Sequence, residues 1–311
     1  MPFQITLKIE TLREKVEPDE LQGCIYYLIK RGSPEISEKL HTKNKVPLFQ
    51  GYIINNNFET NLVISILSDE FLIPLMQGWL KQPIEKITFG SQQYAVYSIN
   101  HNITAWNQFS NLSKNYFAGI KIHFLTLFQV RQQYFIEKDT SIRRILMTPS
   151  PELILNLAAK KWNDCFEMNL HQHDKVTAAE LTKMLSVITE KSIEGRTYSI
   201  LSKRGYERGF KGSCSWEYTS ETSLIYNKYT QLLKFAEFSG IGSRITRGFG
   251  KIELEWLTEK ELLNNDKSIP YFNFGIESNG ILQPQSFSYP RMWRNGEQRA
   301  RLERKIYSSK H

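Results

Sequence analysis

The stretch FAEFSGIGSRITRGFGKIELEW, residues 235–256, holds four of the chain's 17 glycines within eleven positions: Gly240, Gly242, Gly248 and Gly250. Arg244, Arg247 and Lys251 are threaded between them. Apolar periodicity predicts an amphipathic helix over 222–238, and Ile252, Leu254 and Trp256 alternate with charge as a strand does. Glycine permits positive φ and close backbone approach to a ligand. Successive amides in such turns form anion-binding nests. Glycine and arginine together between a helix and a strand therefore ask for a polyanion. The stretch lacks the first glycine of a nucleotide P-loop and places Ile252 where that motif needs Ser or Thr. It follows a helix, not a strand, which excludes the dinucleotide fingerprint. The alternative is a helix-ending glycine followed by a tight turn.

Upstream of this stretch, one order of elements is met twice. Residues 3–10 alternate strictly, with Phe3, Ile5, Leu7 and Ile9 on one face, and predict a half-buried strand. Pro18 opens a helix to about residue 30, and Ser33-Pro34 starts a short second helix ending near His41. Strands are expected at 49–54 and 58–67 around Asn55-Asn56-Asn57, a helix at 69–81, and a strand or strand pair within 84–99. A connecting helix is expected near 104–114. The order then recurs: a strand at 119–128, a helix at 151–166, a two-stranded hairpin at 197–218, the 222–238 helix and a strand at 251–256. Residues 165–195 fit as an inserted loop and helix, with Thr177 as N-cap. The fold class predicted is α+β, two tandem ferredoxin-like (RRM-like) βαββαβ domains. The expected boundaries are 1–115, 116–257 with the glycine-rich loop, and a basic tail at 258–311.

Composition narrows the function class. Hydrophobic residues at 41% and charged residues at 23% describe a globular chain of 311 residues. A net charge of +8 favours a nucleic acid or another anionic surface. Residues 291–310 contribute seven Arg or Lys against Glu297 and Glu303, interleaved with Trp293 and Tyr307. Cys24, Cys165 and Cys214 are far apart and odd in number, which predicts reduced core thiols. No signal peptide or membrane span is recognised, and a cytoplasmic location is expected.

Four segments, met in order, resemble the repeat-processing endoribonucleases of CRISPR systems, the sixth Cas family of the repeat-associated RNA-binding superfamily. They are LQGCIYYLIKRGSPEISEKLH (21–41), TPSPELILNLAAKKWN (148–163), GFKGSCSWEY (209–218) and FAEFSGIGSRITRGFGKIE (235–253). The resemblance spans roughly residues 1–256. It implies cleavage of CRISPR precursor transcripts within each repeat, without metal or other cofactor. The ribose 2′-OH would attack the adjacent phosphate, leaving 2′,3′-cyclic phosphate and 5′-hydroxyl ends. Such a reaction needs proton transfer and stabilisation of the charged phosphorane. The resemblance places the histidine at His41 and a positioning tyrosine at Tyr26. The lysine of some members falls on Pro47, a departure, which leaves Lys43 or Lys45 to supply the charge. The partners implied are CRISPR repeat RNA and crRNA, with retention of the product and entry into a Cascade-type effector assembly.

RNA contacts are expected from the glycine loop (Gly240, Gly242, Arg244, Arg247, Gly248, Gly250 and Lys251). They are also expected from Lys203, Arg204, Arg208 and Lys211 in the central hairpin, and from Arg143 and Arg144 before the 151–166 helix. His171, His173 and Asp174 have metal-like spacing but read as a solvated loop, because no second ligand cluster accompanies them. His123 reads as a core or sheet-surface residue, and His101 as part of a polar turn. Three rivals share the residues. One is a catalytically silent repeat-RNA binder, and one is a scaffold subunit of an effector complex. The third is an unrelated basic RNA-binding protein with two ferredoxin-like domains.

Overall fold

Alternation makes β1 (Phe3–Ile9) a strand with one dry face: Phe3, Ile5, Leu7 and Ile9 are at most 1% exposed. Each such side chain contributes about 1.5–3 kcal/mol on burial. The computed structural model describes residues 1–41, 48–56, 59–109, 117–137, 140–171, 173–202, 205–219 and 223–265. Pro18 occupies the first turn of α1 (Pro18–Gly32), and the Glu20 carboxylate accepts from the Glu17 amide at 3.1 Å. Leu21, Cys24, Ile25, Leu28 and Ile29 form its buried stripe. After Ser33 the chain continues into α2 (Pro34–His41), then β2 (Phe49–Asn56) and β3 (Glu59–Ile66). A 3₁₀ turn leads into α3 (Leu72–Lys81), which is followed by β4 (Lys86–Phe89) and β5 (Gln92–Ile103). The sheet order is β2-β3-β1-β5-β4, with all neighbours antiparallel. This is the ferredoxin-like arrangement, with β5 as its fourth strand and β4 added at the edge. His101 lies in β5, not in a turn, because β5 continues alongside β1 to Ile103.

The second unit repeats the plan. Its sheet is β11-β6-β10-β9, formed by β6 (Gly119–Phe128), β9 (Ile188–Ser202), β10 (Gly205–Tyr218) and β11 (Ile252–Leu257). Between β6 and β9 run β7 (Val130–Glu137), β8 (Thr140–Leu146), α4 (Pro151–Glu167) and α5 (Ala178–Ser186). Ser150 caps α4 by accepting from the Leu153 amide at 3.3 Å, and Thr177 caps α5 as expected. α6 (Ser223–Ser239) leads into the glycine loop, and α7 (Glu259–Asn265) follows β11. Three features differ from expectation. β7 and β8 form a separate hairpin that the sequence pattern does not announce. β9 begins nine residues earlier than residue 197, where the polar run TEKSIEGR forms an edge strand. Edge strands carry charge that keeps them from pairing with other chains. The connecting helix reduces to a 3₁₀ turn, Trp106–Phe109, within the described residues.

Each unit has its own apolar core. Trp106 and Phe109, which follow β5, pack into the second core: the Trp106 ring lies 5.9 Å from Trp162, and Phe109 lies 5.9 Å from Phe235.

Candidate functional site

The glycine loop begins where α6 runs out of partners. Gly240 turns the chain at φ 74°, its amide donating to Ala236 O at 2.8 Å. The Lys161 ammonium, reaching from α4, donates to the carbonyls of Ser239 and Gly240. At the neck, Ile241 N donates to Gly250 O at 2.9 Å and Gly250 N to Leu127 O at 2.8 Å. A Cβ on Gly250 would lie 1.8 Å from Ile241 O, so this crossing admits glycine only. Ser243 N donates to Gln129 O at 2.8 Å, and the amides of Arg247, Gly248 and Phe249 also donate within the loop. Arg244 sits at φ 67° without being glycine. That costs about 1–3 kcal/mol.

The side chains explain what holds it there. Arg244 reaches Glu207 of β10 at 3.2 Å, and Arg131 pairs with the same carboxylate. Glu207 is 3% exposed and also accepts from Gln129 Nε2 at 3.3 Å. Arg247, 7% exposed, crosses to the first unit: its Nε donates to Gln22 Oε1 at 3.0 Å and its Nη1 lies 2.9 Å from Asp19 Oδ1. Gln22 Nε2 returns a bond to Thr246 Oγ1 at 2.9 Å. Lys251 donates to Glu237 O at 2.8 Å and sits 5.0 Å from the Tyr52 ring of β2. Burial lowers the Lys251 pKa and raises that of Glu237. The loop's cations and eight of its amides, that of Lys251 donating to Thr126 Oγ1 among them, are thus engaged inside the chain. Asp19, Gln22, Arg131 and Glu207 were not singled out from sequence. Nothing local marks them.

The other candidates are distributed around this seam. Tyr26, half-buried, lies one turn beyond Gln22 on α1 and meets Phe49 edge-on at 5.3 Å. Burial raises its hydroxyl pKa. His41 is the last residue of α2, and its side chain, like Lys43, Lys45 and Pro47, lies outside the described residues. Arg208 and Lys211 are exposed on β10, and Arg144 is exposed on β8. The Arg143 side chain, Lys203 and Arg204 lie outside the described residues. A cleft of about 1190 Å³ is lined by both units, Lys15 and Asn55 from the first and His123, Arg196, Lys211 and Gly248 from the second.

His171 corrects one expectation: it is buried, not solvated. Its ring stacks 4.3 Å from Trp162 and 4.8 Å from Trp106, because the aromatic core leaves a flat slot there. Nε2–H donates to Trp162 O at 3.0 Å and Nδ1 accepts from the His173 amide at 3.2 Å, and burial lowers its pKa. His123 lies on the outer sheet face, 2.7 Å from Glu255. Among the described residues no three His, Cys, Asp or Glu side chains converge as a metal site requires, and no helix is long and apolar enough to span a membrane.

Residues 122–252 match the model of the CRISPR-associated endoribonuclease Cas6 family. No curated protein sequence matches the chain significantly. A Thermus thermophilus Cas6 solved as a product complex superposes with a TM-score of 0.66 at 19% identity, covering 82% of this chain and 99% of that one. A second Cas6 product complex gives 0.63 at 18%, covering 82% and 100%. A RAMP protein described as binding different RNA substrates gives 0.53 at 16%, covering 81% and 99%. At these identities the structures establish the fold. The family match falls on the unit that holds the glycine loop, and both units share the fold of solved Cas6 structures.

Proposed function

We propose that the chain processes CRISPR repeat RNA as a metal-independent endoribonuclease, leaving 2′,3′-cyclic phosphate and 5′-hydroxyl ends. The observation that carries this reading is the contact between the first helix pair and the glycine loop. The helix pair bearing Tyr26 and His41 is bound to the glycine loop of the family-matched unit through Gln22–Thr246 (2.9 Å) and Asp19–Arg247 (2.9 Å). The product complexes and the RNA-binding RAMP protein support RNA as the substrate.

In the proposed reaction His41 transfers the proton, since imidazole titrates nearest neutrality. Tyr26 orients the ribose or phosphate, and Lys43 or Lys45 offsets the phosphorane charge. Arg143, Arg144, Lys203, Arg204, Arg208 and Lys211 grip the RNA backbone. The loop's own cations hold the units together, and its glycines allow that approach. The cleaved RNA then stays bound and passes to an effector assembly.

The test is incubation of wild-type and His41→Ala protein with its cognate repeat RNA in EDTA, followed by mass spectrometry of the ends. Cleavage by wild type only, with a cyclic phosphate end, is expected. Equal cleavage by His41→Ala would remove His41 from the mechanism. Pro47, standing where some members carry lysine, favours a second reading, a silent repeat binder. Tight binding of intact RNA by excess wild type would select it.

A further inference from the structure

Glu207 and Arg208 are neighbours on β10 and point to opposite faces, Glu207 3% exposed and Arg208 exposed. The strand that presents Arg208 and Lys211 outward therefore also anchors the buried ion cluster inward. From Glu207 the contacts run to Arg247 (3.9 Å), from Arg247 to Asp19 (2.9 Å) and Gln22 (3.0 Å), and from there along α1. Asp19, Gln22 and Tyr26 fall at helical spacing on one side of α1. Beyond Gly32 the chain turns through the extended Ser33 (φ −155°, ψ 111°) and restarts directly, with Ser37 N donating to Ser33 O at 3.1 Å, as the helix that ends at His41. One short chain of side chains thus joins the strand that grips RNA to the helix pair that carries the reacting groups.

The chemistry of the joint suits position more than attachment. A guanidinium donates from a planar fork, so the Nε bond to Gln22 fixes direction as well as distance, and the ion pair of Nη1 with Asp19 adds attraction at 2.9 Å. Its burial removes it from the screening that weakens surface pairs. We infer that Arg247, Asp19 and Gln22 are positioning residues for the cleavage reaction: they set the helix pair bearing Tyr26 and His41 against RNA held on the second unit. This inference rests on the nuclease reading above. A misplacement of about 1 Å at a reacting centre costs on the order of 10²-fold in rate.

The experiment uses the full chain and its cognate CRISPR repeat RNA. Single-turnover cleavage is measured at saturating protein, and Kd is measured with the same RNA made uncleavable by a 2′-deoxy substitution. The variants are Arg247→Lys, Asp19→Asn and Gln22→Ala, with Leu155→Ala in α4 as a destabilised control remote from the joint. The expected result is a rate loss of roughly 10- to 100-fold for Arg247→Lys, with Kd within about threefold of wild type. The Arg247→Lys/Gln22→Ala double variant should be little slower than Arg247→Lys alone, because both act through one contact. Leu155→Ala should cleave at the wild-type rate below its thermal midpoint. Rates no lower than those of Leu155→Ala, or Kd values rising in step with the rate loss, overturn the inference. If Arg247→Lys does not fold, Gln22→Ala and Asp19→Asn decide by the same criteria. A wild type that never cleaves removes the nuclease reading and this inference together; a wild type that cleaves while all three variants keep their rates removes the inference alone.

Discussion

Replacing Gly250 by alanine tests the neck of the glycine loop. Gly250 lies at φ 71°, and a Cβ there would sit 1.8 Å from Ile241 O and 2.9 Å from its carbonyl carbon. The left-handed backbone alone costs a non-glycine residue about 1–2 kcal/mol. Relief to an ordinary contact of 3.4 Å requires the Ile241 carbonyl to retreat, which opens the bonds Ile241 N to Gly250 O (2.9 Å) and Gly250 N to Leu127 O (2.8 Å). Each buried group left without a partner costs about 1–3 kcal/mol. The sum is about 3–8 kcal/mol, a large part of a total that is typically about 5–15 kcal/mol. At roughly 2–4 °C per kcal/mol, the thermal midpoint should fall by about 6–32 °C. Urea denaturation followed by circular dichroism measures the loss directly. Gly23→Ala is the control: it lies on the exposed side of α1 with nothing within 4 Å of its Cβ, and it should gain about 0.5–1 kcal/mol. A Gly250→Ala protein within about 1 kcal/mol of wild type would refute the account of the loop as a crossing that only glycine can make.

Glu207→Gln should destabilise by about 3–5 kcal/mol, because Arg131 and Arg244 lose their carboxylate in a nearly dry site, and urea titration reads this out. Lys251→Met should leave the Kd for repeat RNA within about twofold, whereas Arg208→Ala or Lys211→Ala should weaken binding and reduce the salt slope by about one charge each. The measurement is a binding titration at several salt concentrations. His171 has a native pKa lowered by burial, so the unfolded chain binds more protons than the native one. Its contribution is complete above the unfolded value of about 6.5 and declines as pH falls below it. A His171→Phe protein should lack that part of the acid-side loss in thermal midpoints measured from pH 7.5 to 5.5.

Signals confined to a few residues were legible in the sequence. Alternation gave β1, Pro18 and Ser33-Pro34 marked helix starts, and Thr177 marked the cap of α5, because each depends on the chain within one turn of itself. The β7–β8 hairpin was not legible: only Gln129 separates β7 from the core strand β6, and its pairing adds no alternation of its own to the core. The early start of β9 was hidden because a charged edge strand looks like a loop. At the site, glycine spacing disclosed an unusual backbone, and the φ values of Gly240, Gly242, Gly248 and Gly250, all between 71° and 92°, agree. The same composition points to an outside anion, and within the chain its arginines pair with Asp19 and Glu207. Arg247 and Gln22 are 225 residues apart, and no pattern along one sequence reports such a pairing.

Trp106 and Phe109 bear on how the two units could exist apart. Both follow the last strand of the first sheet, yet their rings fill the second core beside Trp162, His171 and Phe235. A fragment that began at residue 116 would expose the flat faces of Trp162 and His171 to water and would lose two large aromatic anchors. Autonomy of the second unit therefore begins near Thr104, and any natural or engineered exchange of first units must leave those two rings behind with the second.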